Sequence, residues 1–243
     1  MKHQHSRIFI ATAILFLLPL AANAQTTGLP EDNPIAAPEA VVVSGNARFT
    51  VLTPRLLRME WSEDGRFEDN ATLGVVNRRL DVPKFKVRKS RNRTTIETAD
   101  LKLVYSGEGK FDSSNLSVTF NMPKAGGGSR RAVWHPGMDE GGNLLGTCRT
   151  LDSCDGEKTI DPFDKGVVSR DGWAVIDESE RHLLKPVDED WKSWVAKRGD
   201  GERIDWYLFA YGHDYKAAVS DFTKISGKVP LPPKWAFGYW WSR

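Results

Sequence analysis

The acidic stretch between Gly137 and Gly166 holds the densest set of side chains that could do chemistry. Its carboxylates are Asp139, Glu140, Asp152, Asp155, Glu157, Asp161 and Asp164. Carboxylates at this density could bind calcium, but their spacing does not follow the D-x-D-x-D-G pattern of a calcium loop. Any acidic loop has this composition, so we predict no metal site here and expect no other cofactor.

Two cysteines, Cys148 and Cys154, lie within the same stretch. Two thiols supply too few ligands for zinc, and neither a His-x-His motif nor a second cysteine pair lies nearby. In an exported protein such a pair typically closes a disulfide. We therefore predict a Cys148–Cys154 disulfide, with two reduced, partly buried thiols as the alternative.

The chain has nine tryptophans and a net charge of only +2. Tryptophan rings fill protein cores and also stack on sugar rings, so we expect most of them in the core and one or two at a sugar site. The charge balance gives no field for nucleic acid. The basic run from Lys84 to Arg93 alternates with Phe85 and Val87, which favours a solvated hairpin over a nucleic-acid patch.

Short stretches with a period of two, separated by turn residues, indicate an all-β sandwich. In the second of two strands broken at Pro54, one face carries Leu56, Arg58 and Glu60 and the other carries Leu57, Met59 and Trp61. The further predicted strands lie in 84–97, folded as a hairpin around 90–92, and in 101–105, 116–120, 167–177 and 206–211. Asp171-Gly172 predicts a tight turn within the fourth of these stretches.

A helix is predicted from Asp214, as its cap, to Ser226, with Gly227 just beyond its end. Prolines between Val229 and Pro233 then form an extended spacer. The apolar run from Trp235 to Trp241 is typical of a buried strand, so we expect a second domain to begin near Trp235.

The first 24 residues have the features of a secretory signal peptide. A basic start is followed by the apolar segment Ile8–Leu20 and by a small-x-small site that ends at Ala24. We predict cleavage after Ala24 and a periplasmic or secreted product, with a leader over 25–39 and no membrane span. A retained membrane anchor is the alternative, although the apolar segment is short for a span.

Several segments, in order, resemble glycoside hydrolase family 31, the α-glucosidases and α-xylosidases. They are Ala47–Trp61 followed by Phe67-Glu68-Asp69, Gly142–Asp152 (GNLLGTCRTLD), Val168–Asp177 (VSRDGWAVID), Tyr211–Tyr215 (YGHDY) and Leu231–Arg243 (LPPKWAFGYWWSR). The sequence departs from the family pattern at Leu145, where glycine is expected, and at Cys148, where an aromatic residue is common.

The resemblance implies a mainly β fold in three consecutive parts. A galactose-mutarotase-like antiparallel β-sandwich covers 40–211, a linking helix and proline-rich spacer cover 212–234, and the first strand of a truncated (β/α)8 barrel covers 235–243. The family acts on α-linked glycosides with retention, using one carboxylate as nucleophile and a second as acid and base. Its pattern places both beyond Arg243, so we assign neither role within this sequence and expect no glycosidase activity from it alone.

The resemblance also implies which residues face the substrate, an α-linked oligosaccharide. Asp171 would accept hydrogen bonds from sugar hydroxyls, and Trp173 would stack on a ring. Trp240, Trp241 and Arg243 would face the pocket from the end of the barrel strand. The expected partners are this substrate and the remainder of the barrel, with neither nucleic acid nor membrane.

These observations favour the amino-terminal part of an exported retaining α-glycosidase. Two alternatives stay open. One is a free-standing carbohydrate-binding sandwich, which the tryptophan content would suit. The other is a truncated product without a function of its own.

Overall fold

The computed structural model describes residues 33–124, 126–146, 163–185, 195–227 and 233–238. Within these ranges almost all of the regular secondary structure is antiparallel strand, with one α-helix and two short 3-10 helices. In the same ranges, no helix is both long enough and apolar enough to cross a membrane.

Thirteen strands form three sheets in the part of the chain that the structure describes. They are β1 (Val41–Ser44), β2 (Ala47–Thr53), β3 (Leu56–Ser62), β4 (Ala71–Thr72), β5 (Lys86–Ser90), β6 (Arg93–Glu97), β7 (Leu101–Ser106), β8 (Leu116–Pro123), β9 (Ser129–Trp134), β10 (Ala174–Asp177), β11 (Leu183–Leu184), β12 (Val195–Ala196) and β13 (Arg203–Phe209). The first sheet has the order β1-β2-β3-β13-β10, the second the order β5-β6-β7-β8-β9, and a small sheet the order β12-β11-β4. The predicted hairpins at Pro54 and at 90–92 and the predicted pairing of 101–105 with 116–120 are confirmed.

The main core lies between the first and second sheets. Phe49 of β2 contacts Tyr105 of β7 edge-on at 5.5 Å between ring centroids, and Phe111 stacks on Phe49 at 5.7 Å. Leu57 and Met59 of β3 point into this core and are fully buried. The apolar face of β3 therefore points into the core, as the sequence predicted. The predicted mainly β sandwich is also confirmed.

The helix α1 (Tyr215–Ser226) packs on the opposite face of the first sheet. The Asp214 side chain caps it by accepting a hydrogen bond from the Ala217 amide, and Gly227 ends it with a φ of 81°. Both ends match the prediction. Ala218 and Ile225 pack with Phe209 of β13, so the helix covers one half of a sheet face that would otherwise be exposed.

The other half of that face is a buried charge network. Arg58 of β3 binds Asp205 of β13 with both Nε and Nη2 at 2.8 Å, and its Nη2 lies 3.1 Å from Glu60 Oε1. Arg48 of β2 binds Glu60 through Nε at 2.6 Å, and Arg198 Nη2 lies 2.8 Å from Asp205. These five side chains are almost entirely buried, so the charged face of β3 is an interior surface of the fold.

Burial by itself would raise the pKa of Asp205, but Arg58 and then Arg198 outweigh it and hold that pKa well below its usual range. Burial likewise opposes the charge of Arg58, and Asp205 and Glu60 raise its pKa regardless. Each charged group of the network therefore stabilises the ionised form of its oppositely charged neighbour.

The predicted strand from Trp235 is wrong in its described part. Lys234–Phe237 is a 3-10 helix that starts after Pro233, and Trp235 exposes 75% of its surface. The Ala236 amide bonds to the Pro233 carbonyl at 2.8 Å, and the Gly238 amide to the Trp235 carbonyl at 3.1 Å. Because these local bonds satisfy the backbone, and the described residues offer no strand beside it, the segment turns where a strand was expected.

Several predictions fall outside the described ranges. They concern the signal peptide with its cleavage after Ala24, Cys148 and Cys154, and the pocket-facing Trp240, Trp241 and Arg243. They stay predictions, as do the domain boundaries.

Candidate functional site

Residues 142–146 are tied to residues 164–171 in what we call the loop clamp. Asn143 forms an antiparallel bridge with Ser169, the Leu144 amide donates to the Val168 carbonyl at 3.0 Å, and the Arg170 amide donates to the Gly142 carbonyl at 2.8 Å. The Asn143 side chain donates to the Gly166 carbonyl at 2.9 Å and accepts from the Gly166 amide at 3.0 Å. The clamp thus joins the two segments that carry the family-like motifs.

Asp171 lies in a tight turn and stabilises the clamp. Its Oδ2 accepts from the Gly142 amide at 2.8 Å, and its own amide donates to Ser169 Oγ at 3.0 Å. Gly172 follows with a φ of 79°, which confirms the predicted turn. One carboxylate oxygen of Asp171 is therefore engaged in holding the loop, and its contact with a sugar hydroxyl stays a prediction.

Trp173 belongs to the core beside the clamp. It exposes 3% of its surface and packs against Trp134 with ring centroids 6.1 Å apart. Stacking on a sugar needs an exposed ring face, and the neighbouring residues cover most of this ring. Trp173 thus packs in the core beside the clamp, and its stacking on a sugar ring stays a prediction.

Three tryptophans and several charged side chains line a cavity of about 230 Å³ next to the clamp. The aromatic wall consists of Trp134 of β9, Trp206 of β13 and Trp173, with Trp134 edge-on to Trp206 at 6.3 Å. Lys165, Glu140 and Asp177 supply the charges. An apolar wall with a few polar groups is the usual composition of a small-molecule site and suits a ligand with hydroxyls and an apolar face.

Glu140 is the most buried charge of this cavity. Lys165 Nζ lies 3.1 Å from Glu140 Oε2, but the angles of this ion pair are not those of a hydrogen bond. Among the described residues, no other donor reaches this buried oxygen. Glu140 Oε2 thus has an ion-pair partner but no hydrogen bond from the described residues.

Sequence reasoning missed this tryptophan cavity. Trp134 and Trp206 lie on strands of different sheets, and their alternation with polar neighbours predicts only that they face inward. Glu140 was one carboxylate among seven in the acidic stretch. Only the packing of the two sheets brings these side chains together, so local sequence carried no signal for it.

Leu145 has a φ of 64° and is the one non-glycine residue with a positive φ in the described ranges. This is the left-handed region, which favours glycine and costs other residues free energy. The family pattern has glycine at this position, so the departure seen in the sequence coincides with backbone strain in the clamp. The Leu145 side chain is 44% exposed, and its packing does not explain the departure.

No family model matches the chain. Among solved structures, a family 31 dextranase from Flavobacterium johnsoniae in complex with isomaltotriose is 16% identical at a TM-score of 0.47, covering 82% of this chain and 28% of that chain. Among curated proteins, an α-xylosidase from Saccharolobus solfataricus is 42% identical over 119 residues, or 46% of this chain and 16% of the relative. An isomaltosyltransferase from Sporosarcina globispora is 53% identical over 55 residues, or 22% of this chain and 5% of the relative.

The matched stretches thus span a small part of the curated relatives. The relatives are named as enzymes acting on α-linked sugars, among them an α-glucosidase of Bacillus thermoamyloliquefaciens that is 48% identical over 44 residues. The resemblance predicted from the motifs is confirmed: this chain is related to the amino-terminal part of glycoside hydrolase family 31.

Proposed function

We propose that this chain is the β-sandwich part of an exported α-glycosidase that retains the anomeric configuration of its substrate. The observation that carries the proposal is the 42% identity over 119 residues with an α-xylosidase. The loop clamp supports it, because two family-like motifs are bound to each other through Asn143 and Asp171.

In this proposal the sandwich positions sugar-binding groups and the barrel performs the chemistry. The clamp would hold the segment that follows Gly146 toward the sugar, with Asp171 and Trp173 at its base and Trp240, Trp241 and Arg243 facing the same pocket. The nucleophile and the acid/base would be carboxylates beyond Arg243. The substrate would be an α-linked oligosaccharide.

Export is a separate part of the proposal and rests on residues 1–24. Amino-terminal sequencing of the protein recovered from its native host tests it. A mature chain that begins at Gln25 is expected. An intact Met1 would contradict export through a cleaved signal peptide.

Activity of the purified 243-residue chain tests where the chemistry lies. We expect no hydrolysis of aryl α-glucosides or α-xylosides, because in this proposal both catalytic carboxylates lie outside this sequence. Hydrolysis of these substrates that remains with the chain in preparations purified by different chromatographic methods would contradict that assignment.

A free-standing carbohydrate-binding sandwich is the second candidate, and the tryptophan cavity favours it. Titration calorimetry with maltose, isomaltose and a xyloside separates the two. Saturable heat of binding would support a binding module, provided that a Glu140→Gln substitution weakens it and a Glu202→Gln substitution leaves it unchanged. Absence of heat at millimolar sugar would leave this candidate without support.

A further inference from the structure

The second sheet has an outward face that packs on nothing within the described ranges. On strands β6, β7 and β8, the residues Ile96, Leu103 and Val118 point into the core. Their neighbours along each strand point the opposite way, because side chains alternate across a sheet. This outward face of β5–β9 is the basic face.

The basic face has a one-sided charge distribution. Five cations point outward from four of the five strands: Lys86, Arg88, Arg93, Lys102 and Arg131. Glu97 is the one outward carboxylate on these strands, and it lies opposite Lys86 on one side and Lys102 on the other. Because the whole chain carries a net charge of only +2, this face concentrates positive charge locally.

None of the five cations forms an ion pair with a described residue. Arg131 donates to the amide oxygen of Asn121 at 3.1 Å, a neutral partner. Hydroxyl groups occupy several of the positions between the charges, since Thr95, Ser117 and Thr119 point outward from β6 and β8. Val104 and Val133 occupy two others. The face therefore offers unpaired charge together with neutral hydrogen-bonding groups.

The geometry repeats along and across the strands. Outward residues recur about every 7 Å along a strand, and neighbouring strands lie about 4.8 Å apart. The register aligns Arg88 with Thr95 and Lys86 with Glu97, which places cations in successive rows. Such a repeating surface suits an extended ligand with regularly spaced anionic groups better than a compact one.

We propose that the basic face binds an acidic polysaccharide, through its carboxylate or sulfate groups, by way of Lys86, Arg88, Arg93, Lys102 and Arg131. The hydroxyl-bearing residues between these cations would bind the neutral hydroxyls of the same polymer. This proposal does not depend on the glycosidase role, because the basic face lies on the opposite side of the second sheet from the core.

The chemistry of the face disfavours two other polyanions. Proteins that bind single-stranded nucleic acid stack bases on aromatic side chains, and the outward positions of β5–β9 carry none. A membrane-surface site adds apolar side chains that insert among lipids, whereas the tip of the β5–β6 hairpin is Arg91 and Asn92. Both become outcomes of the test.

Affinity electrophoresis and calorimetry of the full chain with polygalacturonate test the proposal, with dextran as the neutral comparison. The test variant combines Lys86→Glu, Arg88→Glu and Lys102→Glu. The control combines Arg66→Glu, Lys197→Glu and Lys216→Glu, which makes the same charge change at exposed positions off this face. A Gln version of the test variant guards against misfolding, checked by circular dichroism.

We expect polygalacturonate binding that weakens with salt, and a loss of at least about tenfold in the test variant against less than about twofold in the control. Three outcomes would overturn the proposal: no binding of polygalacturonate, equal losses in both variants, or tighter binding to single-stranded DNA or to anionic vesicles than to polygalacturonate. The readout is independent of glycosidase activity, so its failure leaves the proposed function intact.

Discussion

Gly142 and Asp171 are 29 residues apart in sequence and fit together without room for a side chain on Gly142. The Gly142 amide donates to Asp171 Oδ2 at 2.8 Å, and a Cβ on Gly142 would lie 2.5 Å from both carboxylate oxygens. The absence of a side chain at 142 is therefore what permits the hydrogen bond that locks the loop clamp.

Gly142→Ala is expected to destabilise the protein by about 1–3 kcal/mol, because the new methyl group must displace the Asp171 carboxylate. Urea unfolding measures the change. Gly141→Ala is the matched control, since its Cβ would meet only the movable Asp139 carboxylate at 3.2 Å.

The Asp171→Ala background makes this test specific. In that background the clash is removed, so Gly142→Ala should lower the free energy of unfolding much less than it does in the wild type. An unchanged cost in the Asp171→Ala background would contradict the proposed clash.

Leu145→Gly is expected to stabilise the protein by about 0.5–1 kcal/mol, because relief of the left-handed backbone outweighs the added flexibility of glycine in the unfolded chain. The midpoint of thermal unfolding reports the change. Leu144→Gly is the control, as Leu144 has a comparable exposure and no positive φ. A loss of stability at 145 equal to that at 144 would refute strain at Leu145.

Asp205→Asn should destabilise the fold by about 3–5 kcal/mol at neutral pH, because Arg198 would lose its buried carboxylate partner and Arg58 would keep only Glu60. Glu202→Gln breaks an exposed pair with Lys110 and should cost less than about 1 kcal/mol. Denaturant unfolding of both variants measures the difference.

The cost of Asp205→Asn should also depend on pH. The folded-state pKa of Asp205 lies below its unfolded value, so its contribution is complete above the unfolded pKa of about 4 and declines as the pH falls toward the folded value. The wild type and the variant should therefore converge in stability in acid. If the stability cost of Asp205→Asn instead increased as the pH falls, the direction assigned to the pKa shift of Asp205 would be wrong.

Tyr211→Phe should cost about 1–2 kcal/mol, because the Tyr211 hydroxyl joins helix α1 to the first sheet. Its oxygen lies 2.5 Å from Asp221 Oδ2 on the helix and 3.1 Å from Thr53 Oγ1 on β2. Tyr215→Phe, at a helix position whose hydroxyl has no hydrogen bond among the described residues, should be nearly neutral. Equal effects of the two substitutions on urea unfolding would argue against this link.

Local pattern predicted the parts of this fold that depend on neighbouring residues. The two faces of β3, the Asp214 cap and Gly227 at the end of the helix follow from period and from capping chemistry, and each is found. The Asp171-Gly172 turn follows from the same local rules.

The features that sequence did not predict are non-local. Nothing near Arg58 indicates that Asp205, 147 residues away, buries and neutralises it. Trp134 and Trp206 meet only because two sheets pack face to face. Trp235 shows the converse error, since an apolar composition predicted a buried strand where the described residues form a 3-10 helix with no strand beside it.

The most direct test of the central claim is the stereochemistry of α-glycoside hydrolysis by the product of the longest reading frame that contains this chain. Proton NMR of an aryl α-glucoside digest resolves which glucose anomer appears first. The account predicts that α-glucose appears first and then mutarotates. First release of β-glucose, or no hydrolysis of α-glucosides and α-xylosides by that product, would contradict it.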